Sequence, residues 1–219
     1  MINEKKIVLV FDICSSTVIL EDLNRTDNIN RWRDFIAQVN KFLNFERMRT
    51  PFIPYKFLGD GWIILFKYDH PGSRIINFAE SLGKKINGLL DANILKILEE
   101  KPTVSGITIG MDRGTLVRLL INNNKEYVGR PINVACRLQS AIKYNDQQPQ
   151  NKILMTRHLY DYMKSDLSTH DCFSAKRILR NIAGDRPIGC MKVNLKISMP
   201  SKIKPPRKLF RPRPIKKPT

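Results

Sequence analysis

The chain has 219 residues, of which 42% are apolar and 8% aromatic, and it carries a formal net charge of +18. That length supports one medium domain with a sizeable core, or one domain plus a tail, and no apolar run approaches the ~20 residues that a membrane helix needs. The four cysteines, Cys14, Cys136, Cys172 and Cys190, form no CxxC pair, which argues against a structural zinc site and for reduced thiols in a cytoplasm.

Residues 6–13 form an apolar run that predicts a buried first strand. The run contains Asp12 and lacks a small-residue cleavage site, so the N-terminus does not read as a signal peptide. Trp32, Phe35, Ile36, Val39 and Leu43 then recur at helical spacing. Residues 52–58 and 62–66 predict two strands joined at Gly59-Asp60-Gly61, a hairpin. Residues 73–100 predict a second long amphipathic helix or a pair of helices. Residues 103–122 predict two more strands around Arg113-Gly114, and residues 130–142 a helix with Pro131 in its first turn. A short strand at 153–155, a helix at 157–165 and closing strands at 172–178 and 189–197 complete the order. The expected fold class is α+β: a sandwich with a βαββαβ core, a mainly antiparallel sheet and helices on one face.

From Ser201 onward the chain holds eight Lys/Arg, five Pro and no acid. Such a segment buries too little apolar surface to fold alone. The expectation is a domain over residues 1–199 and a basic, extended tail over 200–219. The remainder is still basic, as either a solvated surface or an attractor of polyanions such as nucleoside triphosphates. A nucleic-acid module is the non-enzyme rival. An RNA-recognition sheet would carry aromatics in a GFGFV-like pattern on its central strands, and none is present.

Two acids stand out. Asp60 lies between two glycines in the tightest part of the hairpin, where Asp-Gly is also a common turn sequence. Asp12 follows an apolar run as either a strand-end cap or a ligand. The first strand and this hairpin are expected neighbours, which would bring the two carboxylates together. Paired carboxylates need a compensating cation, and Mg²⁺ or Mn²⁺ suits oxygen ligands that also meet phosphates. Ser15, Ser16 and Thr17 follow Asp12, as an anion-binding helix start or as plain helix caps. Asn133 and Arg137 are four apart on one helix face, able to donate to a sugar oxygen and a phosphate, or to form an ordinary surface pair.

The segments "FDICSST", "KFLGDG", "GITIGMDRG" and "EYVGRPINVACRL", in this order and spacing, resemble the class III nucleotidyl cyclases over roughly residues 6–142, and more weakly to about residue 197. The resemblance implies head-to-tail homodimers with active sites at the subunit interface. Asp12 and Asp60 match the metal-binding aspartates of two divalent ions, with the Ile13 carbonyl as a further ligand. Asn133 matches the ribose-positioning asparagine and Arg137 the arginine that stabilises the transition-state phosphate. The implied reaction is attack of the ribose 3′ oxygen on the α-phosphate with release of pyrophosphate. A regulator that had lost this chemistry would lack some of the four side chains, and all are present. Two departures stand out. Ser15 replaces the glycine of the usual "DIxGxT", and the basic group for the β/γ-phosphates has no firm match, with Arg186 and, less well, Lys192 as candidates.

Lys56 and Glu126 match the positions that read the base in adenylate and guanylate cyclases. A Lys donor and a carboxylate acceptor suit adenine, or the two form a salt bridge. Tyr55 completes a YxxxGDG pattern that resembles the pyrimidine cyclases of the Pycsar antiphage systems. There it implies UTP as substrate, cyclic UMP as product and a separate cyclic-nucleotide-responsive effector. Adjacent strand residues face opposite ways, so Tyr55 and Lys56 would share a face only if Pro54 distorts the strand. Otherwise Tyr55 is core. His70, His158 and His170 show no metal spacing and read as surface residues, and Cys14 and Cys136 as packing residues.

Overall fold

The structure is a computed structural model that describes residues 2–197. The tail expected over 200–219 lies outside the described residues. The elements are β1 (Ile2–Ile13), α1 (Ser16–Arg25), α2 (Ile29–Arg49), β2 (Phe52–Phe57), β3 (Gly61–Lys67), α3 (Gly72–Asn93), β4 (Ile107–Ile121), β5 (Asn124–Val128), α4 (Arg130–Asn145), β6 (Lys152–Thr156), α5 (Arg157–Met163), β7 (Cys172–Ile178) and β8 (Pro187–Asn194). They build one sheet in the order β2-β3-β1-β4-β6-β8-β7, with β5 paired to the outer part of β4. Among the described residues, β4 and β6 form the one parallel pair.

β1 sits at the centre and is covered on both sides. Ile7, Leu9, Phe11 and Ile13 face the larger core, against α1, α2, α3 and α5. Val8 and Val10 face a second core that includes Ala135 of α4. The helices therefore do not all share one face, as the sequence led us to expect: α4 lies alone on the other. The unbroken apolar runs of β1 and β3 have this cause, because a strand buried on both sides shows no alternation.

A second difference concerns Arg113-Gly114. The sequence places a turn there, but β4 continues through it, with Gly114 opposite Lys6. The glycine makes room for a helix: a Cβ at Gly114 would come within 2.9 Å of Pro131 Cγ, at the start of α4. The reversal comes later, at Asn122-Asn123, both at positive φ (50° and 63°) as a two-residue hairpin turn of this hand requires. His70 is another correction. It is 7% exposed and packs on Phe66, and His170 is half-buried with Nε2 3.0 Å from Glu80 Oε1; only His158 is on the surface.

Candidate active site

The centre of the site follows from one register. Asp12 pairs with Gly61 across β1 and β3. The β2–β3 hairpin closes with Leu58 N donating to Gly61 O at 2.9 Å, and Ile13 N donates to Asp60 O at 3.2 Å. These backbone bonds set Asp60 beside Asp12. Gly61 has to be glycine for this approach, since a Cβ there would sit 2.0 Å from Phe11 O. Burial, and then the neighbouring Asp60, push the Asp12 carboxyl up to about 6, while Lys143 works in the opposite direction. Asp12 and Asp60 present carboxylates, hard oxygen ligands, and a cationic side chain, Lys143, is already drawn onto Asp12. The pair fits a hard divalent cation. Among the described residues no cluster of three or more His, Cys, Asp or Glu is suited to a metal ion, so any ion here would complete its shell from substrate and water.

The loop after β1 is shaped by serine, not glycine. Ser15 is at φ 58°, ψ 22°, in the left-handed region, at a cost of about 1 kcal/mol for a residue with a Cβ. Its hydroxyl offsets this by donating to Val104 O at 2.8 Å. Ser16 donates its hydroxyl to Asp60 Oδ2. Neither serine caps α1 through its side chain, so the first N–H groups of α1 keep no partner within the helix. Their positive dipole end could receive an anion once a cation offsets the charge of the two nearby acids. Cys14 is buried, and burial pushes its thiol up to about 12. It packs in the core.

Tyr55 and Lys56 do share a side. The β2–β3 register slips between Pro54 and Lys56, leaving Tyr55 as the extra residue of a bulge. The Tyr55 hydroxyl donates to Glu126 Oε2 and accepts from Tyr127 N at 2.9 Å. Lys56 Nζ stands 3.7 Å from the same Glu126 oxygen. Tyr55 also packs on the α4-side core. The structure thus joins Tyr55, Lys56 and Glu126 into one polar cluster.

Asn133 and Arg137 are exposed on α4. The α4 residues that reach Asp12 in the same chain are Gln139 and Lys143, which the sequence reading missed. Nothing local marks them; their partner is more than a hundred residues away. Arg186 is exposed and precedes β8. Through β4 and β6, Asp12 is level with Asn194 at the other end of β8, about 26 Å from Arg186 along the strand. Lys192 is taken up by Asp146 at 3.1 Å.

No family model and no curated protein matches the sequence. Solved structures do match. The adenylyl cyclase CyaB from P. aeruginosa superposes with a TM-score of 0.65 at 19% identity, over 88% of this chain and 96% of that one. The fold is that of the class III nucleotidyl cyclases. An adenylate cyclase from Trypanosoma brucei gives 0.62 at 16% identity, over 88% of each chain. The guanylate cyclase domain of RhGC from Catenaria anguillulae, solved in complex with GTP, gives 0.55 at 18% identity, over 89% of this chain and 99% of that one. At these identities the shared fold supplies the scaffold, and the chemistry rests on the residues of this chain.

Proposed function

We propose that the chain is a nucleotidyl cyclase that converts UTP to 3′,5′-cyclic UMP and pyrophosphate. The observation that carries this reading is the juxtaposition of Asp12 and Asp60 beside the start of α1, on a cyclase fold. Two divalent ions, Mn²⁺ or Mg²⁺, held by Asp12, Asp60 and the Ile13 carbonyl would supply activation of the ribose 3′ hydroxyl and neutralisation of the triphosphate. The first N–H groups of α1 receive phosphate oxygens. Asn133 orients the ribose and Arg137 donates to the α-phosphate as charge builds on it.

Asn133 and Arg137 face outward, away from the Gln139–Lys143 side that meets Asp12, so a second copy completes each site. The β4–β5 hairpin supports such an interface: Ile2, Leu120, Ile121 and Val128 are 48–75% exposed there, an apolar surface that a partner would cover. Arg186, too far along β8 to reach Asp12 in its own chain, could meet the β/γ-phosphates only from the partner subunit.

Uracil offers an N3–H to Glu126 and a carbonyl to Lys56, and Tyr55 fills the volume that a pyrimidine leaves. The adenylate reading has one observation in its favour, the Lys56–Glu126 pair, which presents a donor and an acceptor to adenine. On the YxxxGDG resemblance, the role proposed for the product is antiphage signalling through a separate cyclic-nucleotide-responsive effector. Among the described residues no helix is long and apolar enough to cross a membrane.

Subunit mixing tests the shared site. Asp60→Ala and Arg137→Ala are each expected to be inactive alone, and mixing the two proteins restores partial turnover, because one site of each mixed dimer keeps every residue. Mixtures as inactive as the separate variants would place all the residues within one chain and contradict the interface.

A further inference from the structure

The acid pair carries a cation of the chain's own. Lys143, near the end of α4, ion-pairs with Asp12 Oδ2. Gln139, one turn earlier on the same face, donates Nε2 to the same oxygen at 3.2 Å and to Thr108 Oγ1 at 2.7 Å. The Ser16 hydroxyl occupies Asp60 Oδ2. One oxygen of each acid is therefore already engaged, by three side chains in all, one of them charged. Gln139 is buried and anchored on Thr108, whereas the Lys143 side chain is 35% exposed. A flexible four-carbon stem lets the ammonium leave for solvent without moving the helix axis.

We propose that Lys143 is a resident counter-cation that a divalent ion must displace from Asp12, so that metal affinity is set against this ion pair. This inference rests on the metal role proposed for Asp12 and Asp60. It places a positive charge beside two adjacent carboxylates and so offsets their repulsion in the metal-free protein. It also ties metal occupancy to α4, the helix that carries Asn133 and Arg137. Displacement costs the Lys143–Asp12 attraction and returns the metal's stronger attraction to both acids, so removing Lys143 raises metal affinity and lowers the stability of the metal-free protein.

The test is calorimetric titration of the full chain, stripped of metal, with Mn²⁺ alone, beside thermal melts without metal. Lys143→Met and Lys143→Gln are expected to bind Mn²⁺ about tenfold more tightly than the wild type. Both are expected to melt at lower temperature without metal and to gain more from its addition. Lys143→Arg, which keeps the charge, stays close to the wild type. Affinity that is unchanged or weaker in both neutral variants, while the wild type binds Mn²⁺ and Asp12→Asn does not, overturns the counter-cation and leaves the metal site standing. Absence of Mn²⁺ binding in the wild type and every variant overturns both.

Discussion

Asp60→Ala is expected to lower the turnover number by at least ~100-fold while leaving the fold intact. The hairpin that carries Asp60 is closed by backbone bonds, Leu58 N to Gly61 O and Ile13 N to Asp60 O, and none needs the carboxylate. The side chain accepts a hydrogen bond from the Ser16 hydroxyl; Ser16 is buried, and its small hydroxyl can rotate to another acceptor or to a water that fills the space the carboxylate leaves. What disappears is one of two acids around which the site is arranged. Remaining charge on Asp12 would then be neutralised by Lys143 alone, leaving little to draw in a divalent ion. Steady-state rates beside circular dichroism and thermal melts check this. A variant that keeps more than about a tenth of the wild-type rate contradicts the assignment.

Gly110→Ala carries the largest expected effect on the fold. Gly110 lies on β4 beneath α4, and an added Cβ would sit 2.0 Å from Ala135 O and 2.4 Å from Gln139 N. Both are backbone atoms of the helix, so no side-chain rotation relieves the clash and α4 has to lift from the sheet. Overpacking of this kind costs about 3 kcal/mol, which lowers the melting midpoint by roughly 6–12 °C in a domain of this size. Turnover should fall further than stability alone accounts for, because α4 carries Asn133, Arg137, Gln139 and Lys143. A Gly110→Ala protein that melts within about a degree of the wild type would mean that the helix sits less closely on β4 than described.

Much of this arrangement is legible in the sequence because it is local or follows from adjacency. The apolar run of β1, the Gly-Asp-Gly hairpin and the helix opening at Pro131 each announce themselves, and neighbouring strands then bring Asp12 to Asp60. Three features escape for physical reasons. Gly114 imitates a turn, because a glycine that admits a helix and a glycine that reverses a chain look alike without the helix in view. The position of α4 on the opposite face is encoded only indirectly, in the missing alternation of β1 and β3. Gln139 and Lys143 carry no mark, since their meaning depends on an acid that the sheet brings to them from the other end of the domain. Tyr55 lies between these cases. Pro54 hinted at the distortion, and the bulge it accompanies turns Tyr55 and Lys56 toward one carboxylate.

The most direct measurement is product identity. Purified protein is incubated with Mn²⁺ and separately with UTP, CTP, ATP and GTP, beside Asp60→Ala, and the products are resolved by mass spectrometry. Cyclic UMP with pyrophosphate, absent from the variant, is the result the account predicts. No cyclic nucleotide from any of the four substrates, from protein shown to be dimeric and to bind Mn²⁺, would contradict it.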